Sequence, residues 1–194
     1  PGSFAARRLS CKTTVARIME EQLQIPVIRA DEVAEQFVLK GHLCDDIEKI
    51  LGPGVYISRE TKQLCWKRIR QATFTSTEVE NTFRGFLGEV VWPVIHEKIQ
   101  AMNCFYACVE NALLYEVGWE KHCSSVICVW CDPDEAIRRL VEHRGYKRED
   151  AEKRLSLQMP AAEKALRSHI SINTTNVKVE DLGEHVARII MHLR

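Results

Sequence analysis

No apolar run in these 194 residues approaches the roughly 18 needed to cross a bilayer as a helix, so no membrane span is expected. Neither sign of charge is in excess: 27 basic residues balance 27 acidic ones. A neutral chain lacks the basic surface that broad nucleic-acid binding requires, and no direct nucleic-acid contact is implied. Acids are missing altogether before Glu20, where Arg7, Arg8, Lys12 and Arg17 are all basic. With Ser3, Ser10 and the early alanines, that stretch resembles a mitochondrial transit segment. Read only as local chemistry, it is a basic loop leading into a helix. The expected location is mitochondrial, with the cytoplasm as the alternative.

No stretch reads as a secretory signal, and a chain of this size does not need disulfide staples. The eight cysteines are therefore expected to be free thiols in a reducing compartment. Cys128 and Cys131 form a C-x-x-C, but they fall in an apolar run that reads as a strand. An offset of three on a strand points them to opposite faces, so they do not form a metal pair. Cys104 and Cys108 have no second ligand pair either, and no metal site is assigned.

Strand-like apolar runs alternate with helical spacing, which argues for an α/β chain built on a parallel sheet. Val15, Ile18, Met19 and Leu23 give a helical face over residues 13–22, followed by a short strand at Pro26-Val27-Ile28. Asp31 to Leu39 reads as a helix, with Asp31 as its N-cap. Gly52-Pro53-Gly54 marks a turn. Residues 59–72 and 78–102 read as helical, the second stretch interrupted near Trp92-Pro93. Residues 105–109, 125–131 and 170–172 read as strands. Asp132-Pro133-Asp134-Glu135 is a helix start, with proline at the first helical position and acids in the first turn. Residues 149–169 are charged and helical with a break at Pro160, and 181–194 read as a closing amphipathic helix.

One motif carries chemistry. A phosphate-binding loop reads G-x-x-x-x-G-K-[ST], and Lys12-Thr13 fits its last two positions. Ala6 and Cys11 stand at the two glycine positions.

The order of the motifs resembles the dephospho-coenzyme A kinase family over nearly the whole chain. Lys12-Thr13-Thr14-Val15-Ala16 is similar to K-S-T-V-A, and Val27-Ile28-Arg29-Ala30-Asp31 to V-I-D-A-D. Ile57-Ser58-Arg59 is similar to the I-x-R after a glycine turn, and Trp92-Pro93-Val94-Ile95 to the H/W-P-x-I segment. The longest match is Ala112-Leu113-Leu114-Tyr115-Glu116-Val117-Gly118-Trp119. It continues through Asp132 to Leu140 into Arg154-Leu155-Ser156-Leu157-Gln158, similar to the lid motif R-x-x-x-Q.

The resemblance implies a three-layer P-loop kinase fold in a single domain over 1–194. A helical insertion is expected at about 59–102 and a lid at about 143–165. It implies transfer of the γ-phosphoryl of ATP to the ribose hydroxyl of dephospho-coenzyme A, which rests on positioning and charge stabilisation. On that pattern Lys12 and Thr13 would hold ATP and Mg²⁺. Asp31 would orient the acceptor hydroxyl, Arg154 would stabilise the transferring group, and Arg59 and Glu116 would face the substrate. Glu110 stands where the family often has an Asp, positioned toward Mg²⁺ or as a solvated loop acid.

The departures fall on the phosphate cradle. Ala6, Arg7, Leu9 and Cys11 replace glycines whose backbone N–H groups must approach phosphate closely. Arg29 reverses the charge beside Asp31, and His143 stands at a lid arginine position. Arg154 also has the bland reading of an i,i+4 partner of Asp150. The leading expectation is an inactive homologue without a cofactor, kept as a protein subunit of a larger, mitochondrial assembly. The alternatives are an active kinase using ATP and Mg²⁺, and a sensor that binds a coenzyme A-type ligand or nucleotide.

Overall fold

The computed structural model describes residues 11–73, 76–177, 181–184 and 186. Ala6, Arg7 and Leu9, three of the replaced loop glycines, lie outside them, as does most of the expected closing helix. The chain divides into two compact units: residues 1–27, 106–115 and 120–194 form one, and 28–105 with 116–119 the other.

In the first unit, helix α1 (Cys11–Glu21) buries Val15, Ile18 and Met19 at i, i+3 and i+4. These pack with Val27, Ile172, Leu182 and Val186, so the two described inward positions of the last segment are in the core as its spacing requires. Strand β1 (Val27–Arg29) begins in this unit, and the Cys108 N–H donates to the Pro26 carbonyl at 2.8 Å to start β4 (Cys108–Glu110). The expected strand at 105–109 therefore starts three residues late. Phe105 and Tyr106 are exposed and lie outside the strands found among the described residues.

Strand β5 (Ile127–Trp130) pairs in parallel with β6 (Ile170–Asn173), Ile127 opposite Ile170 and Val129 opposite Ile172. Between them run α6 (Pro133–Arg144), α7 (Arg148–Ser156) and α8 (Ala161–Arg167), with Pro160 just before α8. A parallel pair needs such a helical crossover. Asp132 is the N-cap residue of α6, though its side chain makes no capping bond; its backbone N–H donates to Thr175 Oγ1 instead.

The second unit is helical. Helix α2 (Ala30–Leu39) starts one residue before Asp31 with Arg29 at the N-cap, so Asp31 is not the cap but an exposed acid of the first turn. Its carboxylate still favours the positive helix end. Helix α3 (Cys44–Leu51) has no counterpart in the sequence reading. Residues 59–72 are not one helix. Tyr56–Ser58 (β2) and Gln63–Leu64 (β3) form an antiparallel hairpin, Lys62 takes a positive φ of 51° in its turn, and α4 covers only Trp66–Thr73. Val38, Ile47, Val55, Leu64, Ile69 and Phe83 make this unit's core.

Helix α5 (Thr77–Ala101) runs through Pro93 without the expected break. Proline removes one N–H, the donor to the carbonyl four residues back. That residue is Glu89, which is exposed, so water can satisfy its carbonyl. Val91 and Ile95 on either side are buried and hold the helix to its core.

Residues 116–119 dock on α5 at Gly88. A Cβ there would lie 3.1 Å from Val117 Cβ, and Trp119 Nε1 donates to the Gly88 carbonyl at 3.0 Å. Gly88→Val is expected to destabilise by about 1–3 kcal/mol through overpacking. Gly85→Val on the same helix, with open space around it, serves as the propensity control. Equal thermal midpoints for the two variants would show that the close approach is immaterial.

Candidate active site

Cys11, at the second glycine position of the motif, lies in α1 together with Lys12 and Thr13. Glu110 closes β4. These elements bring three side chains together across 97 residues of chain: Thr13 Oγ1 donates to Glu110 Oε1 at 3.1 Å, and Lys12 Nζ lies 3.3 Å from the same oxygen. The Glu110 side chain is only 9% exposed, so this contact is less screened than a surface pair. Of the two sequence readings of Glu110, the solvated loop acid is therefore excluded.

The donor set is compatible with a metal ion and a phosphate group. A hydroxyl and a carboxylate oxygen suit Mg²⁺, which prefers hard oxygen ligands, and a lysine beside them suits phosphate. Cys108, two residues before Glu110, does not add a nucleophile. Burial, reinforced by the Glu110 charge, pushes its thiol up to about 11, so it stays protonated near neutrality.

Arg154 belongs to α7 in the same unit, and its guanidinium lies over the Tyr146 ring, 4.6 Å from the centroid. Gly145, in the left-handed region at φ 67°, ends α6 and turns the chain so that Tyr146 follows immediately. Gln158 and His143 are exposed. At the carboxyl ends of β5 and β6, Thr174 is buried and Arg139 donates to its carbonyl at 2.7 Å. Arg139 and Arg138 both bind Glu135, whose carboxyl is held down at about 2, chiefly by its hydrogen bond from Arg138.

Asp31, Arg59 and Glu116 belong to the other unit. Asp31 is exposed at the start of α2. Arg59 Nη2 reaches Glu48 Oε1 at 2.5 Å, and Glu48 Oε2 accepts from the Tyr56 hydroxyl at 3.2 Å. Burial first, and Glu48 second, push the Tyr56 hydroxyl up to about 12. Glu116 is half-buried in the segment docked on α5. Glu48 and Tyr146, which hold Arg59 and Arg154, were not singled out in the sequence. Glu48 lies on the unread helix α3, and an aromatic eight positions from an arginine has no diagnostic spacing.

A family model described as dephospho-CoA kinase matches residues 9–180. The chain belongs to the dephospho-CoA kinase family. Among curated relatives, a dephospho-CoA kinase of Geobacillus kaustophilus is 30% identical over 179 residues, covering 88% of this chain and 86% of its own. A Caenorhabditis elegans protein described as uncharacterized is 27% identical over 186 residues, covering 94% of this chain and 78% of its own. Among solved structures, a Thermus thermophilus protein matches with a TM-score of 0.74 at 22% identity, covering 94% of this chain and 92% of its own. A dephospho-CoA kinase from Campylobacter jejuni gives 0.65 at 22% identity, over 95% and 92%. The dephospho-CoA kinase family thus accounts for the α/β P-loop kinase fold of the chain.

Proposed function

We propose that this chain is a dephospho-CoA kinase homologue that has lost phosphoryl transfer and serves as a protein subunit of a larger assembly, in mitochondria. The observation that carries the reading is the closing end of the phosphate loop. Cys11 stands there, within helix α1, where the family has a glycine. A glycine at that point lets backbone N–H groups turn into the phosphates; a side chain obstructs that approach. Arg7 and Leu9 replace further glycines in the sequence. The basic, acid-free run from Arg7 to Arg17 supports the mitochondrial setting.

The direct test is product formation from ATP, Mg²⁺ and dephospho-coenzyme A. The expected result is no turnover above a Lys12→Ala control. Lys12-dependent formation of coenzyme A overturns the reading. For the subunit role, the protein should migrate in a defined large complex in native extracts, and a lone monomer argues against it.

A second reading, an active kinase, is favoured by one specific observation: Lys12, Thr13 and Glu110 converge at 3.3 Å or less. Mg²⁺ and ATP would supply the charge neutralisation and the phosphoryl group. Asp31 would then orient the acceptor hydroxyl, Arg154 would leave Tyr146 for the transferring group, and Arg59 and Glu116 would bind the coenzyme A-type substrate. A thermal shift separates binding from chemistry, since a ligand at 100 times its Kd adds about 2.7 kcal/mol. A shift with dephospho-coenzyme A but no turnover would assign a sensor.

A further inference from the structure

Residues 59–71 concentrate one sign of charge in an otherwise neutral chain: Arg59, Lys62, Lys67, Arg68 and Arg70 stand against the single acid Glu60. The structure sorts these cations by partner. Arg59 is paired with Glu48 and Lys62 with Asp45, so the hairpin is neutralised by α3. Lys67, Arg68 and Arg70 are carried by α4 and are all exposed, while Ile69 and Thr73 of the same helix are buried. Lys67 and Arg70 have neither an ion-pair nor a hydrogen-bond partner among the described residues. Arg68 donates to the Tyr56 carbonyl, which leaves its charge unbalanced. Other helical arginines differ: Arg84, Arg138, Arg139 and Arg148 each meet a carboxylate one turn away.

An apolar side chain stands beside this charge. In the hairpin Tyr56 pairs with Leu64 and Ser58 with Gln63, so Ile57 is the extra residue of a bulge. Tyr56 is buried, whereas Ile57 is 59% exposed. The Arg68 guanidinium, held on the Tyr56 carbonyl, lies next to it along the chain.

These features select the partner. Cations without local acids are complementary to an anionic surface. The eight residues of α4 span about 12 Å and present three cations, short of the roughly six to ten phosphate contacts of a strong nucleic-acid binder. Ile57 matches an apolar side chain, which a phosphate backbone lacks. A peptide with apolar residues among its carboxylates satisfies both.

We propose that the exposed face of α4, with Lys67, Arg68, Arg70 and the neighbouring Ile57, docks an acidic segment of another protein chain. All four residues belong to one compact unit. The inference rests on the subunit reading, to which it adds a surface and a partner chemistry. Peptide binding reads the surface and native migration reads the assembly, so the two fail separately.

The test is fluorescence anisotropy of a fluorescein-labelled glutamate–leucine peptide titrated with the full chain. The peptide should bind at low salt and be released at high salt, as screening requires. Lys67→Glu with Arg70→Glu should weaken binding by about tenfold or more, at an unchanged unfolding midpoint because both side chains are exposed. Lys67→Gln with Arg70→Gln should give a smaller loss of the same sign. Ile57→Ala should weaken binding of the glutamate–leucine peptide but not of a glutamate–serine peptide. Absence of wild-type binding overturns the proposal, and so does equal binding by the charge-reversed variant. Tighter binding of a single-stranded oligonucleotide of equal charge, lost in the same variant, also overturns it by assigning the face to nucleic acid.

Discussion

Replacing Glu80 by alanine is expected to remove about 3–5 kcal/mol of unfolding free energy, a large share of the roughly 5–15 kcal/mol a domain possesses. Glu80 lies in the first turns of α5, 2% exposed, ion-paired with Arg84 one turn on, whose side chain is 11% exposed. Its own position is favourable, because Ser76 caps the helix by accepting from the Val79 N–H, and a carboxylate near that end meets the helix dipole. The loss comes from removing one half of an ion pair whose two side chains are both largely kept from water. Adding Arg84→Leu to Glu80→Ala should recover much of the loss, since well-packed apolar groups replace buried ion pairs at little net cost. Urea unfolding with an unchanged m-value is the measurement. A single variant within 1 kcal/mol of wild type would show that the Glu80 carboxylate is not what balances the Arg84 charge.

Ile172→Ala should cost about 2–5 kcal/mol, the range for truncating a fully buried aliphatic. Ile172 is 0% exposed, pairs with Val129 in the middle of the parallel ladder, and packs with Val15, Met19, Leu182 and Val186. Neighbours held in two helices and a strand cannot all close over the lost methyl groups, so a cavity remains. Ile57→Ala, at a side chain 59% exposed on β2, is the control and should change stability little. Equal losses at the two positions would mean that the contacts around Ile172 are not what holds its strand in place.

The sequence was most legible where burial and periodicity coincide. Val15, Ile18 and Met19 announced α1 because all three face one core. Helix α3 was missed because four of its eight residues, Asp45, Asp46, Glu48 and Lys49, are charged and leave only a short apolar stripe. Pro93 was overweighted because the local rule counts a lost hydrogen bond and cannot see that Glu89 is exposed to water. Asp31 reads as the cap but stands two positions past it, since a capping acid and a first-turn acid satisfy the same dipole. In the site, Lys12 and Thr13 stood out by their motif, but their contact with Glu110 joins residues 97 apart. That pairing is produced by β4 ending beside α1, which no local pattern encodes. Arg59 and Arg154 were singled out for phosphate or substrate, yet their present partners, Glu48 and the Tyr146 ring, came from a helix and a turn whose side chains had no marker.

The docking of residues 116–119 on α5 has an optical consequence. Trp92 and Trp119 lie with ring centroids 5.3 Å apart at an interplanar angle of 51°, and the Trp119 indole N–H is held by Gly88. Two indoles that close and skewed couple their electronic transitions, so the pair should give a couplet in the aromatic circular dichroism. The intensity of that couplet therefore measures the fraction of molecules in which Trp119 is seated on its helix. It does so without a label and without any ligand, in the same cuvette as a thermal or urea titration.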